Sequence, residues 1–528
     1  MLSIKVVTSA QMRRIEARSE DAGVSTETLM ENAGLEVARR VRHHVGHLEG
    51  VPILVLVGSG NNGGDGLVVA RLLRRWGASV LVYLCRDRRE TDSQLARTLD
   101  LGVPVVHTSQ DEGLTRLSTA LESTHVIVDA VLGTGRARPI EGKLKEVFTT
   151  LDDVRNRRED LTVLAIDMAS GLDADTGVVD PACPRADITV ALGYPKTGMF
   201  AFPGADAVGR LEVVDIGIPP GLDDDVAVEL MTDDWASSLL PDRPSAAHKG
   251  SFGRTLVIAG SQGYIGAATL AASAATRAGA GLVTLAIPGS LQTAVAAGVA
   301  EPTYMLLPES SPGVVSAQAA DTVIETLSSF DALLLGCGIG QAPTTREFVE
   351  RLLYSGEALP PTVVDADALN ILSAGASQGG RWWTRFTGSA ILTPHPGEMA
   401  RLTGGTVSSV EQDRIGTAVD AAESWNKVIA LKGAYTVVGS PNGNARLSPF
   451  ANPGLASAGT GDVLAGTIGG LLSQGLNLED AAALGVYIHG AAGERVREEL
   501  GDTGMIASDL LPALPLAIKH LRMGQGVL

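Results

Sequence analysis

Runs of apolar residues without polar alternation recur along the chain, and each is followed by glycine and small polar residues. The first run covers residues 51–57 and leads directly into Gly58-Ser-Gly-Asn-Asn-Gly-Gly-Asp-Gly66. Such runs indicate strands that are buried on both faces, as in parallel sheets. Helix-length segments separate them, and this alternation predicts an α/β fold. Further strands are predicted at residues 79–84, 103–106, 125–128, 162–166, 282–287, 332–335, 362–364 and 428–431.

The stretch from Asn452 to Gly466 combines a glycine-rich loop with the start of a helix. Asp462 follows two glycines and a threonine, and apolar residues continue at helical spacing up to Leu472. Backbone N–H groups of residues 458–461 would point into one small volume at the positive end of this helix, which is an anion site. A helix start of this kind is also common in α/β proteins without such a site, and this stretch alone leaves both interpretations open.

Length and composition predict more than one domain. A chain of 528 residues exceeds one ordinary core. Hydrophobic residues make up 45% and aromatic residues 4% of the chain, which also has 62 glycines, a mixture that suits α/β layers with tight loops. Proline and aspartate interrupt the pattern from Pro219 to Pro244. We therefore predict domains at residues 1–222 and 248–528, joined by a linker at residues 223–247.

Charge and cysteine content restrict the partners and the compartment. The net charge of −18 argues against nucleic acid or an anionic membrane as the main partner. Cys85, Cys183 and Cys337 are odd in number and lack metal-ligand spacing, so we expect reduced thiols in a cytoplasmic protein. The N-terminus has no signal-peptide pattern. The longest apolar run, residues 265–287, is interrupted by glycines and an arginine and predicts helix, turn and strand, not a membrane span.

Three predicted strand ends in the N-terminal half carry acidic or amide side chains. Asn61, Asn62 and Asp65 follow the first strand, while Asp129 and Asp167 end later ones. Ligands bind at the carboxyl ends of parallel strands, so these groups are expected to converge, although any single Asp is more often a turn or cap residue. The spacing does not match the dinucleotide fingerprint. These asparagine and aspartate side chains supply more oxygen ligands than a pyrophosphate loop needs. The surplus favours a polar ligand with a cation over a nicotinamide redox site.

In the C-terminal half the strand ends carry Gly336–Gly340, Asp365, His395 and Lys432. A single His between prolines is more often a turn or cap residue than a catalyst. Lys432 alone would be read as a surface charge. Because the glycine-rich stretch at residues 458–462 follows it within some thirty residues, we predict that Lys432 forms half of a nucleotide-phosphate clamp.

The N-terminal motifs, namely residues 61–65, 129–139 and 167–173, resemble the YjeF N-terminal family, the NAD(P)H-hydrate epimerases, over roughly the whole half. The resemblance implies a Rossmann-like three-layer α/β/α domain and a potassium ion at Asn62, Asp129 and Ser170. We hypothesise that Asp167 is the acid/base group for epimerisation at C6 of the hydrated ring. The implied substrate contacts are Asn61, Asn62, Gly63, Gly64, Asp65, Gly133, Thr134, Gly135, Arg136, Ala137, Arg138, Pro139 and Asp167.

The C-terminal motifs resemble the YjeF C-terminal family, ADP/ATP-dependent NAD(P)H-hydrate dehydratases of the ribokinase-like α/β fold, over essentially all of residues 248–528. Cys337 departs from the Gly-Pro-Gly expected in many relatives, which is expected to alter loop stiffness and not chemistry. Implied contacts to the hydrated nucleotide are Ala268, Gly338, His395 and Asp462. Implied contacts to the adenine nucleotide are Lys432, Gly433, Ala434, Tyr435, Thr436 and Gly461.

Together the resemblances imply a bifunctional enzyme that epimerises NADHX and NADPHX and dehydrates the S form. Asp462 would deprotonate the C6 hydroxyl during phosphorylation by ADP or ATP, with Mg²⁺ as the usual neutraliser of nucleotide phosphates, and loss of phosphate would restore the ring. We lean to ADP because fused bacterial enzymes of this type use it, and we expect a homo-oligomer. The alternatives are a ribokinase-like small-molecule kinase and a non-catalytic N-terminal nucleotide-binding module; an NAD-dependent dehydrogenase is weaker still.

Overall fold

The computed structural model describes residues 4–89, 91–135, 139–376 and 381–524. Contacts between Cα atoms divide the chain into two units, one from Lys5 to Val226 and one that starts at Ala227 and also takes in Ile4. The chain opens with a short strand, β1 (Ile4–Lys5). None of the described helices is both long and apolar enough to cross a membrane.

The N-terminal unit contains a seven-stranded parallel sheet in the order β4-β3-β2-β5-β6-β7-β8. The order reverses between β2 and β5, which is the switch point where ligands bind in open α/β sheets. The strand ends at this point lie side by side, since Leu56 pairs with Asp129. The strands are β2 (Pro52–Val57), β3 (Ser79–Leu84), β4 (Val105–His107), β5 (Val126–Ala130), β6 (Thr162–Ile166), β7 (Ile188–Leu192) and β8 (Arg210–Val214).

Helices cover both faces of this sheet and produce three layers. One buried cluster joins α1, α2 and α3 to the sheet, and a second joins α5 and α6 to it. A capping box at Thr8 starts α1, with both of its hydrogen bonds present. The helices are α1 (Ser9–Asp21), α2 (Thr26–Val45), α3 (Asn61–Arg75), α4 (Ser93–Asp100), α5 (Thr115–Ser123), α6 (Gly142–Arg155) and α7 (Ala205–Val208).

Helix α3 begins at Asn61, within the glycine-rich stretch that follows the first predicted strand. The polar and glycine residues 61–66 form its first turns instead of a preceding loop. The backbone N–H groups of Asn61, Asn62 and Gly63 precede the first helical hydrogen bond, from Gly64 to Gly60, and therefore belong to the helix end that faces the switch point.

The second unit contains an eleven-stranded sheet in the order β1-β9-β20-β19-β18-β17-β16-β15-β10-β11-β12. Strands β10 to β12 and β15 to β18 pair in parallel, whereas β19 pairs antiparallel with β18 and β20. The strands are β9 (Val228–Leu230), β10 (Arg254–Ile258), β11 (Leu282–Pro288), β12 (Thr303–Leu307), β13 (Glu309–Ser311), β14 (Val314–Val315), β15 (Ala332–Leu335), β16 (Thr362–Val364), β17 (Ala390–Leu392), β18 (Val428–Leu431), β19 (Val437–Gly439) and β20 (Ala445–Leu447).

Helices α8, α9, α10, α18, α19 and α20 share one buried cluster with this sheet. The alternate strand residues Leu333 and Leu335 are also fully buried, so both faces of the sheet are covered. The helices are α8 (Asp233–Leu239), α9 (Ile265–Arg277), α10 (Gln292–Ala296), α11 (Ala319–Ile324), α12 (Pro343–Leu353), α13 (Asp367–Ala376), α14 (Trp382–Arg385), α15 (Pro396–Thr403), α16 (Val407–Gln412), α17 (Arg414–Trp425), α18 (Thr460–Leu472), α19 (Leu478–Leu500) and α20 (Ala507–Arg522).

The α/β prediction is confirmed for both units. Within the segment predicted as a linker, the structure has strand β9 and helix α8. Strand β9 pairs in parallel with β20, and Asp233 accepts a hydrogen bond from the hydroxyl of Tyr487. Proline and aspartate marked a break in the sequence pattern, but residues 228–239 are held by long-range pairing that local composition does not reveal.

Candidate active sites

A cavity of about 520 Å³ lies at the switch point of the N-terminal sheet. This volume suits a small-molecule ligand. Of the predicted substrate contacts, those lining it are Asn61, Asn62, Asp65, Gly133, Thr134, Gly135, Pro139 and Asp167. Gly63 and Gly64 are buried in the first turn of α3, where a side chain on Gly63 would collide with the carbonyl of Gly58. Arg136, Ala137 and Arg138 lie outside the described residues.

Asp167 follows β6 directly and is held in a strained backbone conformation. Its φ of 65° lies in the left-handed region, which non-glycine residues rarely adopt outside functional sites and turns. Its Oδ1 accepts hydrogen bonds from the backbone N–H of Leu192 at 3.1 Å and from Nζ of Lys196. Lys196 is fully buried, so this is a desolvated ion pair. The sequence prediction missed Lys196, since nothing local links it to Asp167.

The three predicted potassium ligands are brought together behind the cavity. Asp129 accepts from the hydroxyl of Ser170 at 2.7 Å and from its backbone N–H at 2.8 Å. The amide nitrogen of Asn62 donates to the carbonyl of Leu132 at 2.9 Å, whereas its Oδ1 is buried without a hydrogen-bond partner. An orphaned buried acceptor beside a buried carboxylate fits a hard cation with oxygen ligands.

Two further carboxyl groups line the same cavity. Burial, followed by the charge of Asp167, raises the pKa of Asp65 well above its usual value. Glu16 on α1 also lines the cavity, and burial and Asp167 raise the pKa of its carboxyl. The cavity thus gathers several acidic groups around one buried lysine, an arrangement typical of proton-transfer sites.

The predicted anion loop of the second unit lies at the start of a helix, as its sequence indicated. Helix α18 starts at Thr460, with Asp462 in its first turn and Gly459 as its N-cap. Gly459 has a φ of 90°, and a β-carbon there would lie 2.7 Å from Cδ1 of Leu270. Glycine adopts this conformation without strain, whereas any other residue would be strained and would require Leu270 to shift. The free N–H groups of the helix start can therefore receive an anion.

Lys432 reaches this loop but is held by Asp365, a strand-end carboxylate to which the sequence analysis gave no role. Its Nζ lies 3.5 Å from where a β-carbon on Gly461 would be. The same Nζ donates to Oδ1 of Asp365 at 2.7 Å, which also accepts from the hydroxyl of Thr393 at 2.8 Å. Asp365 and Glu398 raise the pKa of Lys432 against the opposing effect of burial. The ammonium is therefore charged and fixed beside the loop.

Asp462 lies next to Asp365 and Cys337, with the ligand atoms of the three within 4.8 Å of one another. Burial, and then the charge of Asp365, raise the pKa of Asp462 to about 6. A carboxylate with this pKa is a competent general base near neutral pH. Cys337 is a free, buried thiol whose Sγ lies 3.8 Å from Oδ2 of Asp365.

His395 has the capping role that its position between prolines favoured. It is the N-cap of α15, and its Nδ1 accepts from the backbone N–H of Gly397 at 3.0 Å. In turn, the carboxylate of Glu398 accepts a hydrogen bond from the backbone N–H of His395 at 2.7 Å. Burial raises the pKa of Glu398 to about 7. With Nδ1 used as an acceptor, Nε2 of His395 carries the proton and can donate it to a ligand.

The remaining predicted contacts of the second unit lie at two turns, at Gly338 and residues 433–436, and in helix α9, at Ala268. Gly338 has a φ of 62°, and its carbonyl accepts from the hydroxyl of Ser261 at 2.8 Å. Ala268 is fully buried. Its β-carbon lies 2.9 Å from the position that a β-carbon on Gly260 would occupy. The hydroxyl of Thr436 donates to the carbonyl of Gly433 at 2.8 Å and closes the turn that carries residues 433–436. The structure thus places Ala268 in the core beneath the glycine turn.

Family models match both parts of the chain. The model described as YjeF-related protein N-terminus matches residues 26–198, and the model described as NAD(P)H-hydrate dehydratase matches residues 255–516. A crystal structure of an ADP/ATP-dependent NAD(P)H-hydrate dehydratase from Bacillus subtilis, co-crystallised with ATP/Mg²⁺, is 28% identical and covers 55% of this chain and 97% of that chain, with a TM-score of 0.46.

Named relatives match the chain over its whole length. The bifunctional NAD(P)H-hydrate repair enzyme Nnr of Moorella thermoacetica is 41% identical over 98% of this chain and 97% of its own. The enzyme of the same name from Salinibacter ruber is 37% identical over 99% of this chain and 97% of its own. Both halves of the resemblance predicted from the sequence are therefore confirmed, and the chain belongs to the family of bifunctional NAD(P)H-hydrate repair enzymes.

Proposed function

We propose that the chain repairs hydrated nicotinamide nucleotides in two steps. Residues 1–222 interconvert the R and S forms of NADHX and NADPHX. Residues 248–528 dehydrate the S form to the reduced nucleotide and release AMP and phosphate from ADP, or ADP and phosphate from ATP. The observation that carries this proposal is the position of Asp462 in the first turn of α18, beside a glycine N-cap and the ammonium of Lys432.

In the dehydratase step, Asp462 removes the proton from the C6 hydroxyl while that oxygen attacks the terminal phosphoryl group of the nucleotide. The N–H groups at the start of α18 and Lys432 stabilise the charge on the transferred group. The C6–O bond then breaks with phosphate as the leaving group, a proton leaves the neighbouring ring carbon, and the ring double bond forms. Gly338 and His395 contact the hydrated nucleotide in this proposal, and the turn at residues 432–436 contacts the adenine nucleotide.

Magnesium is expected to enter with the nucleotide. Among the described residues, Asp365 and Asp462 come closest to a ligand set with Cys337. Asp365 already accepts hydrogen bonds from Lys432 and Thr393, and a thiol is a poor ligand for a hard cation. The cluster does not fit a resident Mg²⁺, and the chemistry above does not depend on one held by the protein.

In the epimerase step, Asp167 is the acid/base group at C6 of the ring. It lines the cavity, and Lys196 fixes its Oδ1. A potassium ion held by Asn62, Asp129 and Ser170 would supply positive charge behind the helix start at Asn61. This assignment is supported by the unpartnered Oδ1 of Asn62. Comparison of the epimerase rate in potassium and in choline salts at equal ionic strength tests it, and equal rates would contradict it.

Purified full-length protein mixed with R and S hydrate tests the overall proposal. Recovery of reduced-nicotinamide absorbance is expected with nucleotide, more efficiently with ADP than with ATP. Consumption of both R and S forms identifies the epimerase, whereas consumption of the S form alone contradicts it. A stable phosphorylated product without recovered absorbance would instead identify a small-molecule kinase. Light scattering of the same sample tests the expected homo-oligomer.

A further inference from the structure

Arg86 lies beyond the end of β3, on the rim of the N-terminal cavity. It lines this cavity together with Gly60 and Asn61. Strands β3 and β2 are parallel neighbours with Leu84 opposite Val57, and the backbone N–H of Cys85 donates to the carbonyl of Val57 at 2.9 Å. The residues after β3 therefore lie beside the residues that follow β2 and lead into α3.

The guanidinium of Arg86 is not paired with any residue that the structure describes. Nearby arginines differ in this respect. Arg88 binds Asp92 with its Nε and Nη2, each at 2.7 Å, and donates to the carbonyls of Gly58 and Gly60. Arg86 is exposed and makes no hydrogen bond or ion pair with a described residue. A free guanidinium that faces a cavity is suited to an anionic group of a ligand.

The place of Arg86 in the sheet indicates which group of the ligand it meets. The order β4-β3-β2-β5-β6-β7 has the doubly wound pattern in which a dinucleotide lies across the switch point, with its adenosine ribose at the end of the strand equivalent to β3. An acidic residue there binds the ribose 2′-hydroxyl, whereas an arginine accommodates a 2′-phosphate. The nearest acid in the sequence, Asp87, does not line the cavity and instead contacts His107 and Ser109, at 3.4 and 3.3 Å.

We propose that Arg86 determines substrate specificity by binding the 2′-phosphate of the hydrated nucleotide, so that the N-terminal unit favours NADPHX over NADHX. This inference rests on the proposed epimerase function and adds a substrate preference to it. The acidic end of the cavity, at Asp65 and Asp167, is left for the hydrated ring.

The kinetic test compares epimerisation of the two hydrates by the full chain. For Arg86→Gln we expect kcat/KM to fall about tenfold or more for NADPHX and to change by less than about twofold for NADHX, since one charge-assisted contact is lost. Arg86→Asp should reverse the preference, because an acid repels the 2′-phosphate. The matched control is Arg89→Gln, an exposed arginine three residues away that does not line the cavity. It should leave both values unchanged.

Equilibrium binding separates this inference from the epimerase proposal. Titration calorimetry of wild-type and Arg86→Gln protein with NADP⁺ and NAD⁺ should show weaker binding of NADP⁺ alone. If wild-type protein does not epimerise either hydrate yet shows this selective loss, the epimerase function is refuted and the role of Arg86 stands. Equal losses for both nucleotides, or no loss for either, in binding and in kcat/KM would overturn the role of Arg86.

Discussion

The two carboxylates proposed as acid/base groups, Asp167 and Asp462, have opposite neighbours. Asp167 in the N-terminal unit is bound directly by a buried lysine. Asp462 in the C-terminal unit lies beside a second carboxylate, Asp365, which takes the nearby lysine for itself. Burial, and then the like charge of Asp365, raise the pKa of Asp462. The nearby lysine thus pairs with the proposed acid/base group itself in one unit and with a neighbour of the proposed base in the other.

The largest expected effect is the loss of epimerisation in Asp167→Asn. An amide cannot exchange a proton with C6, so interconversion of the R and S hydrates should fall to the uncatalysed rate. Binding of NADP⁺ should persist, because the rest of the cavity is unchanged. The measurement is chromatography of R and S hydrates over time, and a near-normal rate would remove Asp167 from the mechanism.

The matching substitution in the other unit is Asp462→Asn. We expect dehydratase turnover to fall by about two to four powers of ten, the usual contribution of a general base. Epimerase activity of the same protein serves as the internal control and should be unchanged. An unaltered rate of absorbance recovery would show that Asp462 is not the base.

Lys196→Met tests the buried ion pair as a stabilising contact. Removing one partner leaves Asp167 buried without its counter-charge, which should cost about 3–5 kcal/mol in the free energy of unfolding of the N-terminal unit. Lys143→Met is the matched control, because its partner Glu146 is exposed and such pairs contribute less than about 1 kcal/mol. Urea unfolding measures both. Equal effects would mean that burial does not strengthen the pair.

The pH dependence of the dehydratase follows from the raised pKa of Asp462, to about 6. The base must be ionised to accept a proton, so kcat should fall about tenfold for each pH unit below 6 and level off above about 7. The charged or titratable groups that face Asp462 are Asp365, Cys337, Lys432 and Asp367. A rate that stays constant down to pH 4 would contradict the assignment.

Asp365→Asn should produce the smallest effect of these changes. It tests whether Asp365 both acts on the pKa of Asp462 and holds Lys432 in place. Loss of its charge lowers the pKa of Asp462, so the acidic limb of the rate profile should move to lower pH. Loss of the anchor for Lys432 should also raise KM for ADP more than it lowers kcat. The control is Asp321→Asn, which removes an exposed ion pair with Arg351 in the same unit. An unmoved acidic limb would show that Asp365 does not act on Asp462.

Local patterns predicted most of the sheets and the ends at which ligands bind. The strands at residues 79–84, 162–166, 332–335, 362–364 and 428–431 have the bounds predicted from their apolar runs. Asp462 was also placed correctly in the first turn of its helix, because glycine and apolar spacing are visible in one window. Features that depend on chain segments far apart were not predictable in this way.

Lys196 and Asp365 illustrate what local sequence patterns cannot predict. Lys196 is 29 residues from Asp167, and Asp365 is 67 residues from Lys432, so no local rule joins them. Both pairings arise because parallel strands of one sheet deliver their carboxyl ends to the same edge: β6 and β7 are neighbours, whereas β17 lies between β16 and β18. Helix α8 and strand β9 were not predicted for the same reason, because their partners lie more than two hundred residues away in the chain.

Gly459 has a consequence for anyone who wishes to alter the dehydratase by directed evolution. Asparagine tolerates left-handed backbone elsewhere, yet its β-carbon would still press on Leu270 at 2.7 Å and on Ala507 at 3.1 Å. Libraries randomised at this position should be strongly enriched in glycine among active clones. Diversity aimed at a new phosphoryl donor is better placed at Ala458, which is exposed, than at Thr460, which is buried and whose hydroxyl donates to the carbonyls of Leu455 and Ser457.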